Sequence, residues 1–189
     1  MRILVCSSGG GSNFQSLVLK SEIYKSYKIH KLVVDRECGA IEVAKAMRVE
    51  VKLLNKKFSL NDQLIAEFQN FDLIVLAGFM PIIGETVILS MKGNIINTHP
   101  SLLPMHGGLG MYGVRVQESV LKSKDEFAGC TIHQVNAQID EELILAQSRL
   151  IVPNNIDPWT LGGLVHDLER ELLPLTVHRI AKGEISIAI

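Results

Sequence analysis

The chain has 189 residues, of which 47% are apolar, and a formal net charge of −1. This length and composition suit one packed domain, and the lack of a Lys/Arg run argues against nucleic acid or an anionic membrane as the main partner. The apolar stretch at the start spans five residues, too few for a signal peptide or a membrane span. Three isolated cysteines, Cys6, Cys38 and Cys130, further predict a cytoplasmic protein with reduced thiols.

Apolar strands and helical patterns alternate through the first half of the chain. The predicted strands cover residues 3–6, 31–34, 49–54, 73–77 and 93–97, and the predicted helices cover residues 14–19, 40–47, 62–68 and 81–91. The strand at 73–77 is apolar throughout, as is typical of burial on both faces. This alternation predicts a parallel sheet with right-handed crossovers.

The pattern changes after residue 104. A glycine-rich loop is expected over residues 105–113, then a helix at 114–121 and two strands, at 130–135 and 143–150, that are antiparallel at the far side of the sheet. Asp157 begins a predicted helix at 158–172, which residues 174–181 continue after a kink, and residues 185–189 are predicted to form a short edge strand. The predicted class is α/β, a mostly parallel doubly wound sheet with an antiparallel C-terminal part.

A glycine-rich turn, SSGGGSN at residues 7–13, follows the first strand and leads into the first helix. The N-terminus of a helix presents free backbone N–H groups, and glycines let the backbone approach a phosphate. Ser12 and Asn13 add side-chain donors. Without the Walker lysine the loop does not hold a nucleoside triphosphate, and the full dinucleotide fingerprint is also missing. The stretch is either a phosphate site or a flexible turn with a polar cap.

Asn97 and His99 follow the fifth predicted strand, within NIINTHPSLLP at residues 94–104. Open α/β sheets bind ligands beyond the carboxyl ends of their strands. Asn97 offers two N–H donors to a developing oxyanion, and His99 can hold or move a proton near neutral pH. This pair suits acyl transfer through a tetrahedral intermediate. The alternative is a polar turn in which His99 bonds to the backbone.

A third candidate is Asp140. A carboxylate close to His99 would fix the tautomer of the imidazole and favour its charged form. One sequence does not show that the two are close, and Asp140 could equally be a solvated loop acid. The remaining histidines lack metal-ligand spacing, so no metal site is predicted; they are His30, His106, His133, His166 and His178. We interpret His133 as structural and leave His106 open.

Several motifs together resemble the glycinamide ribonucleotide formyltransferases, folate-dependent enzymes of purine synthesis. They are GGGSN at 9–13, LAGFM at 76–80, NTHPSLLP at 97–104, Asp140 followed seven residues later by Gln147, and LERELLP at 168–174. The resemblance covers nearly the whole chain, and the Asn-x-His-Pro-Ser-Leu-Leu-Pro stretch is highly specific to formyltransferases and related hydrolases. It implies a Rossmann-like formyltransferase fold, a single domain over residues 1–189. Residues 1–100 would hold the nucleotide, and residues 101–189 would help to enclose folate.

The resemblance also implies a role for each site residue. Asn97 and His99 would face the formyl carbon of 10-formyltetrahydrofolate, and Asp140 would support His99. The residues that would bind the ribonucleotide are Gly11, Ser12, Asn13, His166 and Glu169. Those that would line the folate pocket are Met80, Pro81, Ile82, Ile83, Asn136, Ala137, Gln138, Ile139 and Asp140. No metal, nucleic acid or membrane partner is implied, and we expect a monomer or a homodimer.

Some positions depart from the family pattern. Glu142 stands where the family usually has glycine, so we expect the loop after Asp140 to take a different path and Glu142→Gly to improve folate affinity or turnover. Thr98 replaces a more usual apolar residue and should be tolerated, because a β-branched side chain suits a strand. Near Asn61, no basic residue matches the arginine that some members place close to the folate tail.

The nearest rival function is hydrolysis of 10-formyltetrahydrofolate, in which similar residues use water as the acceptor. The extra N-terminal domain of those hydrolases is not expected, because the formyltransferase pattern starts at residue 2. Methionyl-tRNA and sugar formyltransferases are usually longer. A non-catalytic folate- or nucleotide-binding relative is the alternative from another class. An assay that follows whether the formyl group goes to the ribonucleotide, to water or to neither distinguishes these functions.

Overall fold

The computed structural model describes residues 1–136 and 143–187. In this part of the chain seven strands form one mixed sheet: β1 (Arg2–Ser7), β2 (Lys28–Val34), β3 (Glu50–Leu53), β4 (Leu73–Leu76), β5 (Ile95–His99), β6 (Phe127–Gln134) and β7 (Ile144–Ile151). The helices are α1 (Ser12–Tyr24), α2 (Gly39–Ala46), α3 (Leu60–Phe68), α4 (Glu85–Ser90), α5 (Val114–Ser123) and α6 (Pro158–Ala181). The predicted α/β class is confirmed: β1 to β5 are parallel, and β6 and β7 are antiparallel to their neighbours.

The strand order is β3-β2-β1-β4-β5-β6-β7, so the direction of winding reverses between β1 and β4. The helices after these two strands leave on opposite faces of the sheet, which opens a crevice at their carboxyl ends. Open α/β sheets bind their ligands in such a crevice. At its base the backbone N–H of Ser8 donates to the carbonyl of Gly78 at 3.0 Å, which joins the loop after β1 to the loop after β4.

Apolar cores lie on both faces of the sheet. Phe14 of α1 and Leu173 of α6 pack on one face, which we call the α1/α6 face. Phe68 of α3 packs with residues of α4 on the other, the α3/α4 face. Strand β5 contributes to both, because Ile96 joins the first core and Ile95 the second.

Helix α6 continues through Pro174 as one helix of 24 residues. A proline within a helix lacks the N–H that would bond to the carbonyl four residues earlier. That carbonyl belongs to Arg170, and it accepts a hydrogen bond from the hydroxyl of Ser16 on α1 at 2.5 Å. The contact with α1 therefore replaces the missing bond, and it also fixes α6 against the start of α1.

The predicted helix at 81–91 is wrong in its first turn, because α4 begins only at Glu85. Pro81 cannot donate a backbone hydrogen bond, and Gly84 has extended backbone angles. The Gly84 N–H donates instead to Asn61 Oδ1 at 3.2 Å. Residues 80–84 are therefore a loop held by α3.

Two strand predictions also need correction. Strand β5 runs to His99, two residues beyond the predicted end, because β6 pairs with residues 97–99. Asn97 and His99 thus lie within the strand, although Asn97 is level with Leu76, the last residue of β4. Residues 185–187 form no strand, and residues 188–189 lie outside the described residues. No helix within residues 1–136 and 143–187 combines the length and apolar character of a membrane span.

Candidate active site

Gly11 lets the chain turn tightly from β1 into α1. Its φ of 83° lies in the left-handed region, and a Cβ at this position would come within 2.6 Å of the Cα of Ala40 on α2. The first turn of α1 has no side-chain cap and no acidic residue. Its backbone N–H groups can therefore receive an anion. Close packing against Ala40 therefore accounts for glycine at position 11, and the N-terminus of α1 is suited to bind a phosphate.

Side chains of α1 and α6 meet beside this turn. His166 Nδ1 lies 2.8 Å from Glu169 Oε2, and His166 Nε2 lies 2.5 Å from Ser12 Oγ. Asn13 Nδ2 donates to Glu169 Oε2 at 3.3 Å. A further bond reaches Glu169 from β5, and we call the whole group the Glu169 cluster: Ser12, Asn13, Thr98, His166 and Glu169. The structure thus brings together the residues predicted for the ribonucleotide, which come from two distant segments.

Asn97 is oriented by His133, which is directly opposite on β6. The carbonyl of Gln134 can only accept, so the His133 Nδ1 beside it, 3.3 Å away, carries the proton. In the neutral ring Nε2 then accepts from Asn97 Nδ2 at 3.0 Å. This bond uses one N–H of the Asn97 amide and leaves the second N–H available as a donor. His133, which sequence reasoning treated as structural, is a partner of the candidate oxyanion donor.

His99 is oriented by the backbone of residue 106. Its Nε2 lies 3.0 Å from the carbonyl oxygen of His106, and a carbonyl can only accept. His99 therefore carries a proton on Nε2, which leaves Nδ1 available for a second interaction. The alternative raised by the sequence, a histidine bonded to backbone, is thus correct for one nitrogen and compatible with catalysis at the other.

The ring of His106 secures that carbonyl. His106 has a positive φ of 55°, which is uncommon for a residue other than glycine. Its Nε2 lies 2.6 Å from Asp125 Oδ2, and its Nδ1 lies 2.8 Å from Ser119 Oγ. We call this group the His106 clamp: His106, Ser119 and Asp125. The sequence contains no signal for it, because the clamp joins a loop, helix α5 and the connection between α5 and β6.

Residues 80–83, predicted to line the folate pocket, form a loop beside the glycine turn. Met80 and Ile82 are exposed, with 45% and 79% of their accessible surface open to solvent, while Pro81 and Ile83 are half-buried. The Met80 N–H donates to the hydroxyl of Ser8 at 2.9 Å. The loop therefore presents apolar side chains while its backbone is tied to the turn after β1.

The second part of the predicted folate pocket begins at Asn136, a half-buried residue just after β6. Residues 137–142 lie outside the described residues. The predictions that fall there concern Ala137, Gln138, Ile139, Asp140 and Glu142. Support of His99 by Asp140 and the path of the loop at Glu142 therefore remain predictions.

The buried cysteines are unsuited to nucleophilic catalysis. Burial raises the pKa of the Cys6 thiol well above its ordinary value. Burial, together with the charge of Glu169, raises the pKa of Cys130 to about 12. Both thiols are therefore protonated near neutral pH. Among residues 1–136 and 143–187, no group of three or more His, Cys, Asp or Glu side chains is arranged to hold a metal ion.

An open cavity of about 660 Å³ lies at the carboxyl ends of β2 and β3. Its lining includes Asp35, Arg36 and Lys56. It shares no residue with the Glu169 cluster or with Asn97 and His99, and β1 and β4 separate β2 from β5. Its lining is charged and open to solvent and contains no pair of groups suited to acyl transfer. We therefore assign the candidate site to the carboxyl end of β5.

The comparison with known families decides the class of this site. The sequence profile described as formyl transferase matches residues 1–177. The chain belongs to the formyl transferase family. The match includes the glycine turn, the Asn97–His99 pair and the Glu169 cluster.

Individual relatives agree with this assignment. The chloroplastic phosphoribosylglycinamide formyltransferase of Arabidopsis thaliana is 32% identical over 194 residues, covering 97% of this chain and 66% of that protein. The phosphoribosylglycinamide formyltransferase of Bacillus subtilis is 31% identical over 189 residues, covering 95% and 94%. The crystal structure of the Anaplasma phagocytophilum protein of that name has a TM-score of 0.89 at 28% identity, covering 98% of this chain and 89% of that one. The chain thus spans just under two thirds of the plant relative and nearly all of the bacterial one.

Proposed function

We propose that this protein transfers a formyl group from 10-formyltetrahydrofolate to the amine of glycinamide ribonucleotide, as a step of purine biosynthesis. The observation that carries the proposal is the arrangement of Asn97 and His99 on β5, in a chain that belongs to the formyl transferase family. Asn97 and His99 each have one nitrogen held by the protein, by His133 and by the His106 carbonyl. Asn97 therefore has one N–H of its amide left for a substrate, and His99 has Nδ1.

The chemistry follows from these two nitrogens. The amine attacks the formyl carbon, and a new C–N bond forms while the carbonyl oxygen gains negative charge. That oxygen accepts hydrogen bonds from the second N–H of Asn97 and from protonated Nδ1 of His99. Collapse of the tetrahedral intermediate breaks the bond between the formyl carbon and the folate nitrogen. The proton lost by the amine passes to that nitrogen, with a water as relay.

The remaining parts of the site bind and orient. The backbone of Gly11 and the start of α1 would hold the phosphate, and the Glu169 cluster would contact the rest of the ribonucleotide. The loop with Met80, and the backbone from Asn136 to residue 140, would hold the pterin. Asp140 would supply the negative charge that stabilises the protonated His99 ring.

A transfer assay tests the proposal. The purified protein is given 10-formyltetrahydrofolate with and without glycinamide ribonucleotide, and the release of tetrahydrofolate and of the formylated product is followed. We expect release that depends on the ribonucleotide, with one product for each folate. Equal release without the ribonucleotide would identify the hydrolase instead. No release in either case would identify a non-catalytic relative.

A further inference from the structure

Thr98 lies between Asn97 and His99 but serves the opposite face of the sheet. Side chains alternate along a strand, and Thr98 shares the α1/α6 face with Ile96. Thr98 is only 7% exposed, and its hydroxyl donates to Glu169 Oε1 at 2.6 Å. An apolar residue could fill this space but could not make the bond. The preference of a strand for β-branched side chains therefore accounts for the shape of Thr98, but it does not account for the hydroxyl.

Glu169 is a buried carboxylate, 5% exposed, with hydrogen bonds to both oxygens. Thr98 donates to Oε1, while His166 Nδ1 and Asn13 Nδ2 lie at Oε2. A buried carboxylate that loses a donor either turns towards another partner or takes up a proton. Either response would disturb the two groups at Oε2.

The carboxylate in turn fixes the direction of its neighbours. Because it can only accept, the Asn13 amide must point its nitrogen towards Glu169, and His166 must carry a proton on Nδ1. In the neutral His166 ring, Nε2 then accepts from the hydroxyl of Ser12. One orientation of Glu169 thus determines the orientation of every polar side chain in the cluster.

We propose that Thr98 is a positioning residue for the ribonucleotide, acting through Glu169. This inference rests on the proposed function. Thr98 holds the carboxylate in the orientation that preorganises Ser12, Asn13 and His166 before substrate arrives. The bond from Thr98 to Glu169 also connects β5 to the ribonucleotide site. Asn97 and His99 lie on the opposite face of the same strand.

The test compares Thr98→Val, which keeps the shape, with Thr98→Ser, which keeps the hydroxyl. We expect the valine variant to raise KM for glycinamide ribonucleotide about tenfold, the effect of one buried hydrogen bond to a charged group. Its kcat and its KM for the folate should change less than about twofold, because the face with Asn97 and His99 is intact. The serine variant should restore the ribonucleotide KM. An unchanged ribonucleotide KM in the valine variant, or an equal rise in the folate KM, would overturn the inference.

Thr176→Val is a matched control on α6. Thr176 is also buried, but its hydroxyl donates only within the helix, to the carbonyl of Leu172 at 2.8 Å. This variant should leave both KM values unchanged. If Thr98→Val does not fold, Thr98→Ala removes the same hydroxyl and replaces it in the comparison. The wild-type assay keeps the outcomes apart: absence of transfer overturns the proposed function, whereas normal ribonucleotide KM in an active valine variant overturns only the role of Thr98.

Discussion

The two faces of β5 differ in how their polar side chains are satisfied. On the α1/α6 face, Thr98 and Glu169 are buried, and the Glu169 cluster bonds mainly within itself. On the α3/α4 face, Asn97 and His99 are half-buried, and each is held through one nitrogen. The first arrangement is typical of a preformed binding surface. The second leaves donors available for charge that appears during a reaction.

Under the proposed function, the two faces of one strand therefore have different roles, substrate binding on one and formyl transfer on the other. A rigid cluster on one face suits a substrate whose bound shape does not change. Half-satisfied side chains on the other face suit a group whose charge develops only in the transition state. Substitutions on the two faces should therefore affect different kinetic parameters.

The largest expected effect belongs to Asn97→Ala. It removes the N–H proposed to stabilise the oxyanion, so kcat should fall by about 10² to 10³, the usual loss for one such donor. Asn94→Ala, just before the same strand, is the matched control and should retain normal kcat. Steady-state kinetics and thermal melts of the two variants give the answer. Near-normal kcat in a folded Asn97→Ala protein would remove Asn97 from the mechanism.

A smaller effect is expected when the His106 clamp is opened. Asp125→Ala removes the carboxylate that holds the His106 ring, so the carbonyl that orients His99 becomes less well placed. We expect kcat to fall about tenfold, since small misplacements of catalytic groups are costly. The ring nitrogens of His99, followed by NMR, should lose their preference for a proton on Nε2. Asp125→Asn keeps an acceptor oxygen and should lose less. Equal kcat in wild type and Asp125→Ala would show that the clamp has no part in orienting His99.

The smallest effect concerns the start of α6. Asp157 accepts hydrogen bonds from Thr160 and from the N–H of Trp159, and these bonds, those of Thr160 first, lower its pKa below the ordinary value. A depressed pKa in the folded state contributes stability above the unfolded value, and that stability is lost as the pH falls through the folded value. Asp157→Asn retains a cap without the charge.

Melting curves test this assignment. The variant should melt slightly below wild type at neutral pH, and the difference should shrink as the pH falls through the lowered pKa of Asp157 and its carboxyl takes up a proton. A difference in Tm that does not change with pH would mean that the charge of Asp157 has no role in stability.

The sequence predicted the sheet better than it predicted the contacts between side chains. Alternating strands and helices, with an apolar run such as residues 73–77, are local signals, and they predicted a fifth strand that ends close to Asn97 and His99. Pro81 and Gly84 are local signals of a loop, but the helical spacing of the residues after them led to the prediction of a helix from residue 81. The alternating pattern at residues 185–189 predicted a strand, but residues 185–187 have no neighbouring strand with which to pair in the part of the chain that the structure describes.

Contacts within the site depend on tertiary packing, which one sequence does not encode locally. Ser12 and His166 are 154 positions apart, and no pattern of spacing joins them. The pairing of Asn97 with His133 depends on the register of β5 and β6, which the sequence left open. Alternation along β5 does show that Thr98 faces away from its neighbours, but its partner on α6 becomes visible only in the structure.

Binding of glycinamide ribonucleotide, measured by calorimetry without folate, tests the division between the two faces most directly. Asn13→Ala removes a member of the Glu169 cluster, and Asn97→Ala removes the candidate oxyanion donor. We predict that Asn13→Ala weakens binding about tenfold, whereas Asn97→Ala changes Kd by less than about twofold, because its interaction forms only in the transition state. Equal weakening in both variants, or weakening in Asn97→Ala alone, would contradict the assignment of binding to one face of β5 and transfer to the other.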